Sequence, residues 1–84
     1  MKPDYSVKDI VSLRLQEIAA ERGITMNKMA REAGISPSTI YSITDPTRRD
    51  ISLSTLKIIL DGLDISLGEF FSHPYFMDLD QEMK

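Results

Sequence analysis

The 84 residues fit one small domain, and their net charge of −3 and lack of cysteine narrow what that domain can be. Without cysteine there is no disulfide framework, zinc–thiolate site or thiol nucleophile. The densest apolar stretch, Ile58-Ile59-Leu60, is far too short to span a bilayer. The opening Met1-Lys2-Pro3-Asp4-Tyr5 carries no apolar run of signal-peptide length, and a cytoplasmic protein is expected.

The first helix is expected over residues 7–22. Ser6 can accept a hydrogen bond from an orphan N–H of its first turn, Asp9 stands where a capping box needs an acid, and Tyr5 and Ile10 have hydrophobic-staple spacing. Helical periodicity turns Val11, Leu15, Ile18 and Ala19 inward, and Gly23 follows where a left-handed helix-ending residue belongs. Ile24-Thr25 with Met29 opens a second helix, 26–33, with Met26, Met29, Ala30 and Ala33 inward and Gly34 after it. Ile35-Ser36 with Ile40 opens a third, 37–44. Pro37 takes its first position, where a missing N–H costs nothing, and Ile40 and Ile43 face the core.

Ile51-Ser52 with Leu56 opens the fourth helix, 53–63, the most apolar of all, with Leu53, Leu56, Ile59, Leu60 and Leu63 inward. Ile65-Ser66 with Phe70 opens the fifth, 67–72, where Ser66 and Glu69 complete a capping box and Phe70 and Phe71 close the end. Five starts of one design, with no strand alternation anywhere, specify an all-α chain: a compact five-helix bundle. We assign residues 1–72 to this domain and 73–84 to a short acidic amphipathic tail. His73-Pro74 should end the fifth helix, because the residue before proline resists helix. Beyond it Tyr75, Phe76, Met77, Leu79 and Met83 are interleaved with Asp78, Asp80 and Glu82, which fits a segment that packs on its own domain or helps pair two subunits.

Net acidity argues at first against a nucleic-acid partner. Its distribution changes that reading. Residues 1–63 hold nine Lys/Arg against eight Asp/Glu, or +1, whereas residues 64–84 hold one against five, or −4. Catalysis has little support: the single histidine, His73, reads as a surface residue, and no phosphate-binding glycine loop or metal-ligand cluster is present. No enzyme activity and no cofactor are expected.

The second and third helices are each about two turns long and meet at Ala33-Gly34-Ile35, the helix-turn-helix arrangement. Ala30 must be small where the helices cross. Gly34 permits a positive φ, and Met29, Ile35, Ile40 and Ile43 lock the pair together. The matching runs are Arg14-Leu15-Gln16-Glu17-Ile18, Gly23-Ile24-Thr25, Met29 to Ser36, Ser38 to Ile43, Ser52 to Leu56 and Leu63 to Phe71. In order and spacing, these runs resemble the λ-repressor and Cro type of DNA-binding domain, the XRE family of helix-turn-helix regulators. The chain departs from that pattern at Met26, where the family usually has Gln, at Asp45-Pro46, where Asn-Gly is common, and at Ile51, where Pro is frequent.

The resemblance implies a five-helix domain that binds double-stranded operator DNA as a two-fold dimer. With Ile40 and Ile43 inward, the outward stripe of the third helix is Ser38, Tyr41, Ser42 and Asp45. By resemblance the base-facing residues are Pro37, Ser38 and Ser42, with Tyr41 beside them. Phosphate contacts fall to Ser36 at the helix N-terminus, Lys28, and the Arg48-Arg49 pair in the loop where family members commonly clamp the backbone. Asp45 places a negative charge in the same region. The expected function is sequence-specific DNA binding by a repressor-type transcriptional regulator that reads the major groove with helix 37–44. The competing expectation is a protein-interaction module, such as an antitoxin whose partner is a toxin or another regulator.

Overall fold

Each of the first five helices begins on a hydroxyl. The computed structural model describes residues 6–48 and 50–77, and among them the order is α1 (Val7–Glu21), α2 (Met26–Glu32), α3 (Pro37–Thr44), α4 (Leu53–Leu63), α5 (Leu67–Phe71) and α6 (Pro74–Met77). Ser6, Thr25, Ser36, Ser52 and Ser66 each accept from the backbone N–H three residues on, at 3.0–3.4 Å. Ser6 with Asp9 and Ser66 with Glu69 are complete capping boxes. The two Ser66 bonds, backbone first, hold the Glu69 carboxyl below its ordinary pKa.

Three of the stops, those after α1, α2 and α4, also share one design. Gly23 and Gly34 take φ of 68° and 72°, and Asp64 joins them at 59°. At each stop the left-handed residue donates its N–H to a carbonyl three back, and the isoleucine after it donates to one five back: Ile24 to Ala19 at 3.0 Å, Ile35 to Ala30 at 2.8 Å, Ile65 to Leu60 at 3.0 Å. These isoleucines then pack on the core and precede the next cap. One tripeptide pattern, Gly/Asp-Ile-Ser/Thr, thus stops a helix, plugs the core and starts the next helix. The left-handed role of Asp64 is not evident in its residue type, although Asp tolerates that region better than most non-glycine residues.

The core is Val11, Leu15, Ile18 and Ala19 of α1, Met29 and Ala30 of α2, Ile40 and Ile43 of α3, Leu56, Ile59, Leu60 and Leu63 of α4, and Phe70 of α5. Every one of these lies on an expected inward face. Leu53 does not follow the pattern: it is exposed, because the buried stripe of α4 begins one turn later at Leu56. α2 is the central element, packing on α1, α3 and α4. Where α4 approaches α2, a Cβ added at Gly62 would lie 3.6 Å from the Ala33 Cβ, an ordinary contact. Gly62→Ala is therefore expected to raise stability by about 0.5–1 kcal/mol, the usual cost of glycine inside a helix. A melting temperature at or below that of the parent would show that α4 and α2 have no room for the methyl.

The sixth helix adds to the five expected. Pro74 starts it with a fixed φ and no N–H to leave unpaired. Phe76 packs on Phe70 and Phe71 with ring centroids 5.4 and 5.0 Å away. The Tyr75 hydroxyl donates to Glu17 on α1 at 2.6 Å, and that carboxylate raises the tyrosine pKa. His73 is not an idle surface group. It is half-buried, its Nδ1 accepts from the Tyr75 N–H at 3.2 Å, and its ring stands edge-on to Tyr75. Residues 78–84, including the acidic part of the expected tail, lie outside the described residues.

Candidate nucleic-acid interface

α3 turns Ile40 and Ile43 into the core and presents the opposite side outward. Tyr41 is 69% exposed and Pro37 and Ser38 are exposed, while Ser42 is half-buried. The hydroxyls on this face are already organised. Ser36 Oγ, besides capping the helix, lies 3.1 Å from Ser38 Oγ and 3.0 Å from Thr39 Oγ1. Ser42 Oγ donates to the Ser38 carbonyl at 3.1 Å, which leaves its lone pairs outward as acceptors. Five of the expected residues, Ser36, Pro37, Ser38, Tyr41 and Ser42, are thus gathered along one short helix. Lys28 sits apart on the first turn of α2, exposed, with its backbone N–H tied to Thr25. Arg49 lies outside the described residues.

Asp45 departs from the expected stripe. α3 ends at Thr44, and residue 45 is extended at φ −77° and ψ 113°, as the following Pro46 demands. Its carboxylate therefore does not continue the helix face but folds into the loop. It accepts from the Thr47 N–H at 2.9 Å and the Thr47 hydroxyl at 2.7 Å, and it faces Arg48 Nε at 4.0 Å. Those two Thr47 bonds, with help from Arg48 and Lys8, hold the Asp45 carboxyl below its usual pKa.

Sequence reasoning passed over Lys8. It is only 3% exposed, and its ammonium donates to the Asp45 carbonyl at 2.6 Å, tying the first turn of α1 to the end of α3 across 37 residues. A cation suits the carbonyl end of a helix. The signal was present: Lys8, Val11, Leu15 and Ile18 form one helical stripe, so a charge stands at a core-periodic position. A buried ammonium must be hydrogen-bonded to persist there, and only the fold reveals what bonds it.

The Cro/C1-type HTH DNA-binding domain family matches residues 14–74, a span that holds α2, the Gly34 turn and α3. The chain belongs to that family. This Cro/C1-type domain is also similar to a solved structure, the crystal structure of the prophage Lp1 protein 11. The two superpose with a TM-score of 0.78 at 26% identity, covering 94% of this chain and 100% of that one. No curated protein matches the sequence. The Cro/C1-type assignment makes double-stranded DNA the partner and transcription regulation the setting. Among the described residues, no group of three His, Cys, Asp or Glu side chains is placed to hold a metal ion, and no helix is long and apolar enough to cross a membrane.

Proposed function

We propose that the protein is a sequence-specific repressor that docks α3 in the major groove and acts as a two-fold dimer. The observation that carries this reading is the outward face of α3: Pro37, Ser38, Tyr41 and Ser42 lie opposite the buried Ile40 and Ile43 in a Cro/C1-type domain. Ser36, Lys28 and Arg48, with Arg49, supply phosphate contacts that position the helix without specifying sequence. A dimer would set two copies of α3 roughly 34–36 Å apart, one turn of the duplex, and its operator would be an imperfect palindrome. With a net charge of −3, the chain has little nonspecific attraction to DNA, so contacts to the operator must carry the discrimination.

In-vitro selection from random duplex, followed by fluorescence anisotropy on the selected sequence, tests the reading. Arg48→Ala is expected to weaken binding to every duplex about equally and to reduce the salt slope by about one unit. Ser42→Ala or Ser38→Ala should instead change preference at one base step per half-site by about 1–3 kcal/mol. If no duplex is bound above background even at low salt, the protein-interaction reading, an antitoxin or a regulator's partner, takes its place.

A further inference from the structure

The loop after α3 holds a carboxylate where a DNA-binding domain has most use for positive charge. Three constraints keep it there. The buried Lys8 ammonium grips the Asp45 carbonyl at 2.6 Å, so the main chain of residue 45 cannot swing away without unpairing a buried cation. Pro46 fixes the next φ and enforces the extended conformation of residue 45. Thr47 binds the carboxylate twice, through its N–H and its hydroxyl. The side chain so fixed is only 20% exposed, and it faces the 64% exposed Arg48 across 4.0 Å.

We propose that Asp45 limits affinity by standing in for DNA phosphate at Arg48. The inference rests on the DNA-binding reading and on Arg48 as a phosphate contact. A 4.0 Å ion pair whose arginine is exposed is weak, so Arg48 remains free to exchange partners. A phosphate that takes Arg48 must nevertheless displace one anion and lie beside it, within the distance over which physiological salt leaves charges coupled. Arg48 then enters the complex with its charge largely offset by Asp45. Asp45 is a positioning residue here: it acts on DNA through Arg48 and reads no base.

Asp45→Asn separates charge from geometry. The amide oxygen can still accept both Thr47 bonds and keep the turn, so only the negative charge is lost. Asp45→Ser, a shorter uncharged acceptor, is the second variant should the first melt early. Anisotropy titrations against the selected operator and a random duplex, each over a series of salt concentrations, supply the readout. We expect the Asn variant to bind both duplexes about 3–10-fold more tightly, with an unchanged specificity ratio and a salt slope steeper by up to one unit. In an Arg48→Ala background most of that gain should vanish. Unchanged or weaker binding by a variant that melts like the parent overturns the proposal, as does a gain of equal size with and without Arg48. A protein that binds no duplex in any form defeats the DNA reading itself, a result distinct from a DNA-binding parent whose Asn variant gains nothing.

Discussion

Ala30→Glu is expected to abolish the folded state at ordinary temperature. Ala30 is 2% exposed and lies on α2, the element that packs on α1, α3 and α4 together. Its carbonyl also accepts the Ile35 N–H at 2.8 Å, the bond that turns the chain from α2 toward α3. A glutamate here would bury an unpaired carboxylate and overfill a close helix contact. The unpaired charge costs about 3–5 kcal/mol and the overfilling about 1–3 kcal/mol more. A domain of this size commands about 5–10 kcal/mol in all, so no reserve is left. Circular dichroism should show lost helix or a melting temperature tens of degrees lower. A variant melting within a couple of degrees of the parent would show that this packing of α2 is wrong.

Ending the chain at Phe71 should also destabilise the domain, less severely and for a different reason. That cut removes Phe76 from its place against Phe70 and Phe71 and removes the Tyr75–Glu17 bond that ties α6 to α1. Full burial of a phenylalanine is worth about 3–5 kcal/mol on truncation to alanine. Phe76 is half-buried, so about 2–3 kcal/mol is expected, or a melting temperature lower by roughly 10–20 °C in a domain of this length. Phe76→Ala in the full chain should reproduce most of that loss. If the tail also helps to pair subunits, the shortened chain should sediment closer to a monomer. A cut that moves neither melting nor sedimentation would mean that residues from Ser72 onward serve neither purpose.

The helices and their core were legible in the residues because their causes are local. A capping Ser or Thr is satisfied within one turn, as are the isoleucine and left-handed residue that precede three of the five caps, so the starts can be read without knowing the neighbours. The outward face of α3 is equally local: once Ile40 and Ile43 point inward, Ser38, Tyr41 and Ser42 must point out. The extended conformation of Asp45 was also within reach, since Pro46 disfavours helix in the residue before it.

What the tertiary structure decided are events between segments distant in the chain. Periodicity assigns Leu53 to the core stripe, but whether any neighbour covers the first turn of α4 depends on packing, and there it is left exposed. Lys8 reaches Asp45, and Tyr75 reaches Glu17, only because α1 lies beside both the end of α3 and α6. Such contacts join residues 37 and 58 positions apart. A local pattern shows that a buried lysine needs an acceptor, because desolvating an ammonium is costly. It does not say which carbonyl stands within 3 Å, since that distance is set by the summed orientations of all the helices between.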